Sequence, residues 1–251
     1  MFYCFSEVII EFYSKSVYFI IVFFFIVTIP VLFILWIIGK INMKAHDVLS
    51  YGLMRIAFSI ILFECGVKVT VLDRDKIPTD TPVLYVGNHR SYFDIIALYR
   101  YALGTTGFIA KKEFKKVPVL SHWISCLHGL FLDRNDLKAG LKTILEAIDH
   151  MKNDGISYVI FPEGTRNHND EMLPFKEGSM KIATKSGCPI VPVAMTHMDD
   201  ILEKHMPWIR KTNVAIKFGD PIYPDKLSKD ELKFLGAHVR DVIQGMIDEM
   251  P

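Results

Sequence analysis

The chain opens on an apolar block. From Val17 to Ile38 the sequence VYFIIVFFFIVTIPVLFILWII runs 22 residues without a charged side chain. As a helix rising about 1.5 Å per residue it would extend ~33 Å, enough to cross a hydrocarbon core of ~30 Å. Thr28 and Pro30 interrupt this run only mildly, because a proline kink is tolerated in lipid. A cleaved signal peptide fits poorly. The stretch is too long, Glu7 and Glu11 precede it, and no small-x-small site follows. A second apolar stretch, Tyr51–Phe63, has 13 residues with Arg55 inside. It is too short to span alone and reads as an interfacial or re-entrant helix beside the anchor, or as a core helix. Residues 1–64 are thus expected to form a membrane-embedded helical segment.

Beyond it the period changes. Val67–Leu72, Val83–Gly87, Thr106–Ala110, Gly129–Leu132, Ile156–Phe161, Pro189–Met195 and Val214–Phe218 are short, β-branched or aromatic, and bounded by Gly, Pro or Asp, which predicts seven strands. Between them lie helical periods. Leu137, Leu141, Ile144, Leu145, Ile148 and Met151 follow a capping Asn135 or Asp136. A second helix begins after Phe175 and stops at Gly187, and a third opens on the capping box Ser228-x-x-Glu231 and carries Leu232, Leu235, Val239, Val242, Ile243, Met246 and Met250. Residues 65–251 therefore predict an α/β domain, a mixed sheet flanked by helices, with ligands expected at loops after strand ends.

Composition narrows the class. Lys and Arg number 29 against 28 Asp and Glu, a balance that argues against a nucleic-acid binder. The mean hydropathy of +0.26 is accounted for by the front of the chain. Lys15 precedes the long apolar run, whereas Lys40, Lys44 and Arg55 follow it, which predicts the remainder of the protein on the cytoplasmic face of the membrane. Cys4, Cys65, Cys126 and Cys188 are spaced too widely for a zinc ribbon or a disulfide scaffold and read as small buried residues. The nine histidines form no HExxH or other metal-ligand spacing, so no metal site is expected.

Two blocks carry chemistry. After the strand Val83–Gly87 comes Asn88-His89-Arg90-Ser91-Tyr92-Phe93-Asp94. Positions i and i+5 do not face each other on a helix, but they can meet if His89 lies in the loop and Asp94 in the first helical turn. A carboxylate on Nδ1–H would then leave Nε2 as acceptor, as a general base requires. Ser91 is a weaker candidate nucleophile, since no nucleophile-elbow glycine pattern surrounds it. The second block, Phe161-Pro-Glu-Gly-Thr-Arg166, follows the strand Ile156–Phe161: Gly164 permits a tight turn, Thr165 supplies a hydroxyl, and Arg166 a planar fork suited to phosphate. Four lysines in Lys111-Lys-Glu-Phe-Lys-Lys116, followed by Val117, Val119, Leu120 and Trp123, suit an anionic membrane surface or the guidance of an acidic substrate.

Together, Asn88-His89 with Asp94 and then Phe161–Arg166 resemble the glycerolipid acyltransferase family, in particular its members that acylate lysophosphatidic acid. Gly129-Leu-Phe-Leu-Asp-Arg134 resembles the family's second block and Val191-Pro-Val-Ala-Met195 its fourth, so the resemblance covers roughly residues 65–220. It implies transfer of a fatty acyl group from acyl-CoA or acyl-carrier protein, as co-substrate, to the sn-2 hydroxyl of lysophosphatidic acid, giving phosphatidic acid at a phospholipid membrane. No further cofactor is implied. On that reading His89 is the base, Asp94 its orienter, and Arg134 and Arg166 the phosphate ligands. Glu163, Gly164 and Thr165 shape the acceptor site, and Lys111, nearest its strand end, is a further phosphate contact. Another lysophospholipid or glycerol 3-phosphate as acceptor, or a non-catalytic membrane lipid-binding protein, are the alternatives.

Overall fold

The computed structural model describes residues 2–250 apart from His168 and Asp170, with side chains described from Glu11 onward except that of Phe12. Three helices come first: α1 (Phe2–Val27), α2 (Ile29–Ile41) and α3 (Met43–Glu64). The apolar run does not form one straight rod. Tyr13–Val27 and Ile29–Ile41 meet at a 43° bend. Pro30 lies in the first turn of α2, where it has no N–H to continue the ladder and its ring crowds the carbonyl four residues back. The Trp123 indole N–H donates to Thr28 Oγ1 at 3.1 Å and ties the bend to the domain behind it.

The second apolar stretch is also part of something longer. Tyr51–Phe63 lies within α3, a 22-residue helix capped by Asn42, whose side chain accepts the Ala45 N–H at 3.1 Å. By length and composition α3 is able to cross a membrane, and so is the bent α1–α2 pair if counted as one span. The expectation that this stretch is too short to span is thus corrected. Arg55 had marked it as a short segment, but its guanidinium turns to the carbonyls of Ala102 and Gly104. One side of α3 buries Tyr51, Met54, Ala57 and Leu62. Elsewhere the three helices leave Phe23, Phe33, Trp36, Ile41, Ile56 and Phe63 exposed, an apolar surface of the kind that marks a lipid or protein contact.

All seven predicted strands form, in one sheet ordered β1 (Lys68–Leu72), β7 (Asn213–Phe218), β6 (Ile190–Thr196), β2 (Leu84–Gly87), β5 (Ser157–Ile160), β3 (Thr106–Lys111), β4 (Leu130–Leu132). Every neighbouring pair is parallel except β6 with β7, so the sheet is mixed. α4 (Phe93–Tyr101) shares one buried cluster with the end of α3, Val17 of α1, and one sheet face. α6 (Leu137–Asp149), α7 (Glu177–Ser186) and α9 (Leu235–Asp248) cover the other face. α5 (Pro118–Cys126) packs Trp123 and Leu127 against Leu35, Tyr51 and Met54 of the N-terminal helices.

Two helices differ from their sequence pattern. In α6 the buried face is Thr143 and Ala147, with Ile144 and Ile148 half-buried and Met151 buried just beyond, whereas Leu137, Leu141 and Leu145 point outward. The apolar residues spread wider around this helix than the single sheet face that covers it. The last helix breaks at Phe234 into α8 (Lys229–Lys233), which keeps the predicted capping box, and α9. α7 ends as expected at Gly187, which adopts φ 78°. Cys65 and Cys188 are buried and Cys126 half-buried, all three as free thiols; the Cys4 side chain lies outside the described residues.

Candidate active site

Strand pairing decides which loops meet. β2 and β5 run parallel with Val86 opposite Ile160, so the chains leaving their carboxyl ends, Asn88–Asp94 and Phe161–Arg166, emerge side by side. β3 and β4 follow in the sheet and deliver Lys111 and Arg134 to the same edge. The first block is held by side chains that mimic backbone. Asn88 donates to the Met195 carbonyl and accepts its N–H, both at 2.9 Å, which extends the β2–β6 ladder by one rung.

His89 then lies in the loop and Asp94 in the first turn of α4, the arrangement under which residues five apart can meet. His89 Nδ1 is 2.8 Å from Asp94 Oδ2. The same oxygen accepts the N–H groups of Arg90 and Ser91, both at 2.7 Å, so the carboxylate is fixed by the chain it orients. With Asp94 as acceptor, Nδ1 carries the hydrogen and Nε2 keeps its lone pair. Phe161 stacks on the imidazole with centroids 4.2 Å apart and planes 16° from parallel. Asp94 is fully buried, whereas the His89 side chain retains 18% exposure, enough for the free ring nitrogen to be reached.

Glu163 holds the two blocks together. Its carboxylate accepts the His89 N–H at 2.8 Å and the Leu173 N–H at 3.0 Å. Burial pushes this carboxyl above the ordinary carboxylate range, and the two backbone donors pull the other way. Glu163 is turned away from the main cavity and braces the loop behind His89. Gly164 adopts φ 77°, a left-handed conformation that suits glycine, with the Lys176 ammonium beside it. Arg134 Nη1 donates to the Gly164 carbonyl.

These groups border a cavity of about 650 Å³. His89, Lys111, Glu113, Arg134, Thr165, Arg166 and Lys176 are among its polar lining, and Phe24, Ala57, Ile61, Ile96, Phe108 and Trp123 among its apolar walls. A histidine with a free ring nitrogen thus shares one cavity with four basic side chains and with apolar residues of the N-terminal helices. Lys111 ends β3 with its ammonium 3.8 Å from Glu113. Ser91 is fully buried and donates to Glu203 Oε2 at 2.7 Å, a structural role that leaves it no access to substrate.

Two functional candidates escaped the sequence reading. Lys176 lines the cavity beside Gly164 and forms no ion pair with a described carboxylate; a lone lysine before a helix carries no sequence signal. Glu203 contacts both blocks. Its signal was present in Asp199-Asp200-Ile-Leu-Glu203, three acids just after an apolar strand in a chain whose site blocks contain Arg90 and Arg166. Arg90 answers the first of them, donating from Nε and Nη2 to Asp199 Oδ2 at 3.1 and 2.9 Å.

The His89–Asp94 pair thus lies at the carboxyl edge of the mixed sheet and faces a largely apolar cavity. The family described as Acyltransferase matches residues 68–196, and the chain belongs to it. The 1-acyl-sn-glycerol-3-phosphate acyltransferase of Borreliella burgdorferi is 31% identical over 196 residues, 78% of this chain and 78% of that one. The human 1-acyl-sn-glycerol-3-phosphate acyltransferase alpha is 27% identical over 78% of this chain and 70% of its own. The crystal structure of the 1-acyl-sn-glycerophosphate (LPA) acyltransferase PlsC from Thermotoga maritima superposes with a TM-score of 0.84 at 26% identity, covering 97% of this chain and 96% of that one.

Proposed function

We propose that this protein transfers a fatty acyl group from an acyl thioester, acyl-CoA or acyl-carrier protein, to the free sn-2 hydroxyl of lysophosphatidic acid, forming phosphatidic acid. The observation that carries the reading is the place of His89: braced by Asp94, it lines one cavity together with Lys111, Arg134, Arg166, Lys176 and a set of apolar side chains. The basic groups suit a phosphate, the apolar ones suit an acyl chain, and the relatives that match the chain along most of its length bear the name of this activity.

The chemistry needs little more than that. His89 Nε2 takes the proton of the acceptor hydroxyl as its oxygen attacks the thioester carbonyl, and Asp94 stabilises the imidazolium that forms. The tetrahedral intermediate collapses by breaking the C–S bond, and the departing thiolate takes the proton back from His89. A thioester is already activated, so no covalent acyl-enzyme is required. Arg134 and Arg166, with Lys111 and Lys176 beside them, hold the acceptor phosphate by charge-assisted hydrogen bonds. The exposed apolar faces of α1–α3 hold the protein in the phospholipid bilayer, with residues 65–251 as the catalytic domain on the cytoplasmic side.

The test uses full-length protein purified in detergent, radiolabelled lysophosphatidic acid and oleoyl-CoA. Labelled phosphatidic acid is expected from the wild type and not from a folded His89→Ala variant. Product only with glycerol 3-phosphate or another lysophospholipid would reassign the acceptor, and no acyl transfer to any of them would overturn the reading.

A further inference from the structure

Arg166 is already seated. Its guanidinium carbon lies 3.7 Å from the centre of the Tyr92 ring, and its Nη1 donates to Glu203 Oε1 at 3.3 Å. Glu203 comes from the single turn Glu203–His205 after β6, outside every motif of the sequence. Its side chain is 1% exposed, against 26% for Arg166. The same carboxylate accepts the Tyr92 N–H at 2.8 Å on Oε1 and the Ser91 hydroxyl at 2.7 Å on Oε2. One buried carboxylate therefore joins the head of α4 to the last residue of the second block.

Of the groups that satisfy Glu203, Arg166 is the cation it contacts. A buried carboxylate without a charged partner is strongly disfavoured, so the pair holds the guanidinium in one place. Tyr92 adds a face on which a planar guanidinium stacks and an ammonium would not in the same way. Arg166 has five N–H donors and gives one to Glu203, which leaves the others for an anion in the cavity it lines.

We propose that Glu203 is a positioning residue for acceptor binding: together with Tyr92 it pre-orders Arg166, so that the acceptor phosphate meets a fork already in place. The proposal rests on the reading of Arg166 as a phosphate ligand. Two effects oppose each other here. The Glu203 charge repels an incoming phosphate, while the seat spares the entropy of ordering a long side chain on binding. Three donors already offset the carboxylate, and it is withdrawn from the cavity behind the guanidinium, so the ordering effect prevails.

The experiment compares steady-state kinetics of full-length wild type, Arg166→Ala, Glu203→Gln, the double variant and Tyr92→Leu, varying lysophosphatidic acid and oleoyl-CoA separately. Glutamine at 203 keeps an oxygen for the Tyr92 N–H and loses the charge facing Arg166, but its amide must donate to Ser91 Oγ where the carboxylate accepted, so thermal unfolding of the variant is recorded alongside its kinetics. Glu203→Gln is expected to raise the acceptor KM about 3- to 10-fold, with kcat and the donor KM changing far less. The double variant should match Arg166→Ala, because the seat has nothing left to hold. Tyr92 is 45% exposed, so Tyr92→Leu preserves folding and should raise the acceptor KM in the same direction. If Arg166→Ala raises the acceptor KM but Glu203→Gln and Tyr92→Leu leave it unchanged or lower it, the positioning role is overturned while the phosphate ligand stands. If Arg166→Ala itself leaves the acceptor KM unchanged, the phosphate reading falls and the positioning role with it.

Discussion

The Glu163 carboxylate accepts the backbone N–H of His89 at 2.8 Å, and four residues after Glu163 the Asn167 N–H donates to the His89 carbonyl at 2.7 Å. Both peptide groups of the candidate base are thus gripped by the neighbouring loop, and its ring is gripped by Asp94 and Phe161. The imidazole has little freedom left except at Nε2.

Glu163→Ala should therefore cost stability and rate together. It strands two N–H groups, one of them on a buried path, and a hydrogen bond to a charged group is worth about 1.5–3 kcal/mol. Thermal unfolding in detergent should show the loss of stability, and kcat should fall while the acceptor KM moves less. An unchanged melting temperature would show that the loop holds itself.

The same residue sets a pH dependence. Burial holds the folded Glu163 carboxyl above its ordinary range, so its stabilising contribution is full below the unfolded pKa and is lost as pH rises through the folded one. Glu163→Gln cannot ionise. Relative to that variant, the wild type should lose stability as pH rises above the ordinary glutamate pKa. Paired melting curves across this rise check the sign, and a constant gap between the two proteins would contradict it.

His89→Ala should lower kcat by on the order of 10²–10⁴ in a protein that still melts cooperatively, the usual worth of a positioned general base. Asp94→Asn should be impaired as well: the Arg90 and Ser91 N–H groups keep the amide oxygen toward Nδ1, but a neutral amide does not stabilise the imidazolium that forms. An acyl group found on Ser91 by mass spectrometry after exposure to donor alone would replace this scheme with a covalent one.

The apolar lining of the cavity should measure the acyl chain. Ala57 is buried in α3 and lines the cavity, so Ala57→Phe fills part of it. The variant is expected to favour shorter acyl-CoA donors over oleoyl-CoA by roughly 5- to 150-fold, the about 1–3 kcal/mol that a hydrophobic pocket can discriminate. Competition between decanoyl-CoA and oleoyl-CoA provides the measurement, and an unaltered preference would place the chain elsewhere.

Membrane attachment should follow the exposed faces of the N-terminal helices. Phe23→Asp combined with Phe33→Asp places two charges on residues 55% and 62% exposed, away from the core. The double variant should shift from pellet to supernatant on carbonate extraction, whereas the wild type stays with the membrane.

The sheet and the His89–Asp94 contact are legible because local signals agree with the structure. β-branched runs bounded by Gly and Pro became strands, and the loop-then-helix context of His89 and Asp94 allowed them to meet at a spacing that a regular helix forbids. What was hidden depends on partners far along the chain. Nothing local shows that Arg55 turns to the carbonyls after α4 and so belongs to a 22-residue helix. Pro30 was read as a mild kink, yet with Trp123 holding Thr28 it marks a 43° bend. Glu203 acquires meaning only when β2 and β5 have brought Tyr92 and Arg166 together.

The ends of this chain find each other late. β1 pairs only with β7, and Ser14 of α1 accepts the Ile209 N–H across 195 residues of sequence, while the Tyr18 hydroxyl donates to the Pro207 carbonyl. Contacts so distant in sequence form slowly, and a chain made from its N-terminus cannot form them until its last strand has left the ribosome. The three apolar helices are therefore synthesised well before the surfaces that cover their inner faces exist. During that interval their inner apolar faces stand uncovered, so the order of synthesis sets the time for which these helices must find another apolar partner.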